Sequence, residues 1–264
     1  MNTQSNSFGS VLRERYELLF IKEWSVSAGA VLIGILSIVT FTWARPWGVV
    51  GGLCLWSDWL FYGLGLYSQK PNGAWIDTNS LITLGLLWGA LAASLIAKQF
   101  AFRVPPKLEF VKALVGGTLL GVGSALAGGC NVGGFYSAVS ALSMSGFAMM
   151  IGLLIGAYFG LKYLYWEMEH LPSGGGATAT GGGLQWTPLK PYLGWALLLA
   201  GIVMCNLYNV EGYTIEGGVL LCGLGFGFVL MRSRFCFARA FREPFMTGEA
   251  KMTQMVIISL MISM

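Results

Sequence analysis

"VKALVGGTLLGVGSALAGGCNVGGFYSAVSALSM", residues 111–144, is apolar over more length than one membrane-crossing helix needs, and glycines cluster in it around one thiol and one amide. A hydrocarbon core about 30 Å thick is crossed by roughly 20 helical residues. A run this long therefore contains a break, placed at Gly128-Gly129-Cys130-Asn131-Val132-Gly133-Gly134. Backbone in lipid must satisfy its own hydrogen bonds, so such a break is tolerated only where protein encloses it or it borders a water-filled cavity. Opened helices of this kind mark transport pathways.

Composition agrees. The 264 residues are 55% hydrophobic and 11% charged, against about 25% charged in an ordinary soluble domain, which places the chain in the membrane. The mean hydropathy of +0.67 says the same. The net charge of +4 sits in short clusters between apolar runs, so it reports topology and anion attraction and excludes a nucleic-acid partner. Residues 1–23 begin polar and of mixed charge with no cleavage-like site, and read as a cytoplasmic tail rather than a signal peptide. The five cysteines, at 54, 130, 205, 222 and 236, contain no CxxC pair, and the single histidine, His170, is expected in a loop. Neither a disulfide framework nor a metal or other cofactor finds support.

Spans are expected at Trp24 to Trp43, Ser80 to Ala97, Ser145 to Trp166, Pro191 to Tyr208 and, cut short by the chain end, Lys251 to Met264. Trp47 to Tyr67 and Gly217 to Phe241 are irregular, the first holding Cys54 and Asp58, the second ending among Arg232, Arg234, Arg239 and Arg242. The Gly-rich "SGGGATATGGG", 173–183, has linker composition. The expected organisation is a tail (1–23), a first membrane repeat (24–166), a linker (167–190) and a second repeat (191–264). Arg13, Arg15 and Lys22 before the first span, with Lys98, Arg103, Lys107 and Lys112 after the second full span, put the N-terminus in the cytoplasm. The stretches 116–135 and 217–237 share a leading Gly-Gly pair and a late cysteine, and Gly117-xxx-Gly121 and Gly223-xxx-Gly227 permit close helix contact.

Cys205 and Cys222 lie in uninterrupted apolar runs and read as small buried hydrophobes. Cys130 and Cys236 stand at helix breaks, with Cys54 intermediate between the two cases. Broken helices offer free N–H groups, which suit an anion. Around Cys130, Gly129 and Gly133 supply backbone and Asn131 an amide, while Tyr136 and Ser137 can add hydroxyls. Asp58 is an ionisable group at membrane depth or an interfacial carboxylate between Trp56 and Trp59. Arg239, three residues past Cys236, can guide an anion while the neighbouring arginines fix topology.

"AGGCNVGGFYSA" (127–138), "RSRFCFARAFREPFMTG" (232–248) and "RPWGVVGGLCLW" (45–56) resemble signature segments of the YeeE/YedE family of membrane proteins, which take up thiosulfate or related sulfur compounds. The resemblance implies an all-α polytopic membrane protein of pseudo-symmetric repeats, with interrupted or re-entrant helices forming an hourglass in a bacterial inner membrane. It also implies a thiosulfate relay by thiol hydrogen bonds, without covalent chemistry and hence without enzymatic turnover, in which Cys130 and Cys236 match motif cysteines. Cys54 has no secure counterpart, because many relatives have no cysteine in the Pro-Trp-Gly segment, and it stands as a further candidate substrate-binding residue. Such proteins continue past "RFCFARAF" through another helix and a further glycine-cysteine segment, so the C-terminal repeat is expected to be incomplete or completed by a second membrane chain. Two readings stand beside the permease: a membrane thiol oxidoreductase, and a permease subunit handing sulfur or selenium to a soluble carrier protein.

Overall fold

The computed structural model describes residues 16–100, 107–170 and 190–264, and every regular element among them is a helix. The tail before residue 16, residues 101–106 of the basic segment and the Gly-rich stretch 173–183 lie outside the described residues. A π-helical turn, Glu17–Ile21, precedes α1 (Val26–Trp43), α2 (Val50–Gly63), α3 (Thr78–Ile96) and α4 (Lys107–Leu126). After α4 come the break, then α5 (Met144–His170), α6 (Lys190–Val210), α7 (Thr214–Ser233), α8 (Phe237–Met246) and α9 (Lys251–Ser263). Among the described residues six segments are long and apolar enough to cross a membrane, and the chain is an all-α polytopic membrane protein. α2, at 14 residues, is about 21 Å long and falls short of a crossing. His170 is the last residue of α5 and not a loop residue: its ring stacks on Trp166 one turn earlier, with centroids 5.0 Å apart.

Local signals explain where the helices begin. Ser25 caps α1 by accepting from the Ala28 N–H, and Asp77 caps α3 by accepting from the Asn79 and Ser80 N–H groups. The α3–α7 pair forms the centre, because glycines let the two backbones touch. A Cβ on Gly223 would stand 2.7 Å from the Ile82 carbonyl oxygen, and one on Gly227 would collide with that of Leu86. The second spacing with the same pattern behaves differently, since a Cβ on Gly117 or Gly121 would meet open space among the described residues. Accordingly 61% of the apolar window of Thr78–Ile96 is buried and none of Glu109–Leu126, which the Lys112–Glu167 ion pair ties to α5.

The Trp24 N–H donates to the Arg232 carbonyl at 3.0 Å, so the start of α1 lies at the end of α7 and the two run antiparallel. The tie is reinforced by the Arg232 guanidinium on the Lys22 carbonyl and by the Arg234–Glu23 ion pair at 2.6 Å. α9 begins beside α8, where Thr253 donates to the Ala240 carbonyl at 2.6 Å. It then passes Gly34 of α1 at Ile262, parallel to α1.

Trp47, between α1 and α2, is buried and stacks on Phe226 of α7 with centroids 3.9 Å apart. Its indole N–H donates to Ser37 of α1 at 2.9 Å, and its carbonyl accepts from Ser137 of the break at 2.7 Å.

Replacing Gly227 with Val forces a side chain into the Leu86 backbone, and overpacking that cannot relax costs about 3 kcal/mol or more. A large fall in thermal midpoint of the detergent-purified protein is expected, while Gly225→Ala, facing only Leu36 at 3.4 Å, leaves the midpoint near wild type. Trp47→Phe retains the stacking and loses one buried hydrogen bond, a cost of about 1 kcal/mol, whereas Trp47→Ala costs about 3–5 kcal/mol. The same thermal measurement should rank them in that order.

Candidate functional site

The break begins where α4 ends. Gly128 takes φ +69°, a left-handed conformation that glycine adopts without the roughly 1–2 kcal/mol that an L side chain costs there, and the Gly129 N–H closes the last turn on the Ser124 carbonyl at 2.9 Å. Cys130 is extended, and helical backbone resumes in a π-helical stretch, Asn131–Ser137, that runs on through Ala138–Ser140. The Gly134 N–H bonds the Cys130 carbonyl at 2.7 Å, which leaves the N–H groups of Asn131, Val132 and Gly133 without acceptors among the described residues.

This backbone meets the first interruption of the chain. Gly48 and Gly133 touch so closely that a Cβ on Gly48 would lie 3.3 Å from the Gly133 Cα. Between the Arg45–Gly51 segment and the break lies a cavity of about 320 Å³, bordered by Arg45, Trp47, Asn79, Gly129, Cys130 and Gly133. Arg45 is exposed and forms no ion pair with the described residues. The cavity thus combines a free guanidinium, a side-chain amide, glycine backbone and one half-buried thiol. Such a set offers hydrogen-bond donors of the kind an anion accepts from, strong at the guanidinium and weak at the thiol. A smaller cavity of about 250 Å³ adjoins it across Pro46, Trp47 and Ser137.

Asn131, although next in sequence to Cys130, borders a different cavity, of about 430 Å³, between α5 and α8. Gly152, Gly156 and Gly160 form one wall, and Glu167 and Arg242 also line it.

The break therefore groups Cys130, Gly129 and Gly133 on one cavity and sets Asn131 on the other. Cys236, Cys54 and Arg239 line neither. Cys236 is exposed at the start of α8, while Phe235 and Phe237 on either side of it turn inward, Phe237 packing on Tyr136 at 4.9 Å. Cys54 is exposed on α2. Arg239 pairs with Glu243 one turn on, at 3.2 Å. Tyr136 is fully buried with its hydroxyl on Ser259, so it offers nothing to a cavity, and Ser137 is engaged with the Trp47 carbonyl while also lining both smaller cavities. Asp58 is half-buried with no hydrogen bond or ion pair among the described residues, and it borders neither cavity. Cys205 and Cys222 are buried, as their apolar settings predict.

Sequence reading passed over Arg45, Asn79 and Arg242 as lining residues. Arg45 stood in the quoted Pro-Trp-Gly segment, and Glu243 four residues after Arg239 signalled which arginine was already paired. Asn79 carried no signal of its own.

A family model described as sulphur transport matches residues 3–159, more than half of the chain. Over 257 residues the chain is 26% identical to "Probable transporter YedE" of Escherichia coli (strain K12), a match covering 92% of this chain and 64% of that relative. Over 135 residues it is 33% identical to "Thiosulfate transporter TsuA" of Spirochaeta thermophila, covering 50% of this chain and 39% of the relative. The chain thus spans less than two thirds of the length of these relatives. No solved structure gives a significant match. On the strength of the family match, and with the break, the cavities and the membrane spans in place, the chain belongs to the YeeE/YedE family of sulphur transport proteins.

Proposed function

We propose that this protein carries thiosulfate or a closely related inorganic sulfur anion across the bacterial inner membrane, with its N-terminus in the cytoplasm. The substrate crosses by hydrogen bonding to neutral thiols and makes no covalent bond, so the chain is a permease and not an enzyme. Cys130 is the central station. One observation carries this reading: of the five cysteines, Cys130 borders the cavity that also holds Arg45, which has no ion pair among the described residues, and the other four do not. The guanidinium draws the anion in, and the break's free N–H groups and Asn79 replace part of its hydration. A neutral S–H is a weak donor, which suits a site that must release what it binds. The names of the TsuA relatives support thiosulfate as the substrate.

In this reading Cys236 and Cys54 serve as flanking stations, and Gly129, Gly133, Asn131 and Arg239 contribute to the passage. Exposure of both thiols is compatible with completion of the path by a second membrane chain, which the uncovered face of α4 also supports. Delivery to a soluble sulfur carrier is an extension of the same function.

Expression in a bacterial strain lacking sulfate and thiosulfate uptake, with thiosulfate as sole sulfur source, tests the function directly. Growth is expected for the wild type, and Cys130→Ala at equal membrane abundance should lose at least about tenfold in uptake, the cost of removing a hydrogen-bonding group that leaves its partner unpaired. Growth of that variant at the wild-type rate would sink the relay. Intact-mass analysis after turnover, with alkylation under oxidising and reducing conditions, separates relay from thiol chemistry: the wild-type protein should show no sulfur added to any cysteine, a persulfide on Cys130 with sulfite released would establish covalent sulfur transfer instead, and a reversible Cys130–Cys236 disulfide would establish the oxidoreductase alternative.

A further inference from the structure

The cavity beside Asn131 lies one peptide bond from the Cys130 cavity, yet the two share no lining residue. What separates them is the break itself, pinned on one side by the Gly48–Gly133 contact and on the other by Phe135 packed on Phe241 of α8 at 5.0 Å.

The two cavities also belong to opposite ends of the bundle. Arg45 follows the end of α1, whereas α8 follows the end of α7, which the Trp24–Arg232 backbone bond fixes beside the start of α1. The Thr253–Ala240 bond keeps α8 at the first turn of α9, and α9 reaches the Arg45 end only at its last residue, Ser263, which with Met264 lines the small cavity beside Pro46.

The charges of the second cavity resolve in favour of an anion. Glu167, its carboxylate, is taken by Lys112 of α4. The nearby Glu243 is taken by Arg239 and by the Met252 N–H. Arg242 is exposed, lines the cavity and forms no ion pair with the described residues, so its charge is the one left over. Gly152, Gly156 and Gly160 fall on one face of α5 at four-residue spacing, and a Cβ on any of them would meet nothing within 4 Å. That face is a wall of the cavity, with no helix packed into it among the described residues.

We infer that the cavity formed by Asn131, Arg242 and the glycine face of α5 is a second anion vestibule, opening toward the membrane face opposite the Arg45 cavity. Arg242 attracts the anion there, Asn131 hands it across the break to or from Cys130, and the three glycines keep the passage clear. This rests on the permease reading.

Labelled thiosulfate uptake is measured with the full chain in right-side-out and inside-out membrane vesicles, at matched protein abundance and with wild-type thermal midpoint confirmed for each variant. In right-side-out vesicles Arg45→Gln should raise the half-saturating concentration about tenfold and Arg242→Gln should lower the maximal rate about tenfold, the size of effect a nearby unit charge exerts in a wet protein site. In inside-out vesicles the two variants should exchange these effects, which a purely structural role would not produce. Arg242→Lys, keeping the charge, should recover most of the rate, and Gly156→Leu, filling the cavity, should reduce it as Arg242→Gln does.

A wild type that moves no thiosulfate in either vesicle overturns the permease reading and this inference with it. A wild type that transports, with Arg242→Gln and Gly156→Leu transporting equally well, overturns the inference alone. So does an effect of Arg242→Gln that keeps the same form in both vesicle orientations.

Discussion

The structure depends on two interruptions at membrane depth bonding to each other across the bundle. A carbonyl released from helical bonding in a hydrocarbon environment costs several kcal/mol if nothing answers it. The Trp47 carbonyl is such a group, and the Ser137 hydroxyl answers it from the opposite break. The same residue's indole N–H is satisfied by Ser37, and its ring lies flat on Phe226. One side chain and its own peptide thus hold α1, α7 and the break in a fixed relation. Remove that relation and the Arg45–Gly51 segment has no reason to lie against Cys130, so the cavity between them ceases to exist.

The glycines take their meaning from this arrangement, not from their spacing. Gly223 and Gly227 bring α7 onto α3 at a separation no side chain permits, giving the rigid centre against which the breaks are held. Gly48 and Gly133 bring the two interruptions close less stringently, a Cβ on Gly48 standing 3.3 Å from the Gly133 Cα. Gly152, Gly156 and Gly160 obey the same four-residue rule yet abut empty space. Identical sequence patterns therefore encode contact in one place and clearance in another, because the rule fixes only that a face is small and leaves what lies opposite to the tertiary fold.

That division decides what was legible in the sequence. The break at Gly128–Gly134 was, because a 34-residue apolar run cannot be one crossing and the glycines say where it yields. The buried Cys205 and Cys222 were, because an apolar neighbourhood on both sides leaves a thiol no other place. Placing Asn131 on a different cavity from Cys130 was not, since that depends on an extended residue followed by a π-helical stretch, in which successive side chains leave on different sides. Choosing among Arg232, Arg234, Arg239 and Arg242 lay between the two. The i,i+4 spacing to Glu243 already accounts for Arg239, but the partners of Arg232 and Arg234 come from residues 22 and 23, about 210 positions away.

Those arginines also show how burial decides which charges in one motif are committed to the fold and which stay available. Arg232 is almost fully enclosed, and its guanidinium bonds the Lys22 carbonyl, so its charge is committed to tying the start of α1 to the end of α7. A deeply buried cation facing a passing dianion would hold it too strongly to conduct, since unit charges 4 Å apart attract with about 4 kcal/mol at an effective dielectric of 20 and more in a drier site. Against water the same pair is worth about 1 kcal/mol. Arg45 and Arg242 stand at exposed edges of cavities, nearer the second limit. In the proposed permease each would raise the local anion concentration without trapping the ion, and the thiol and amide between them would need to supply only a further weak step. A path attractive at both mouths and shallow in the middle is what the proposed carriage of a doubly charged anion would require.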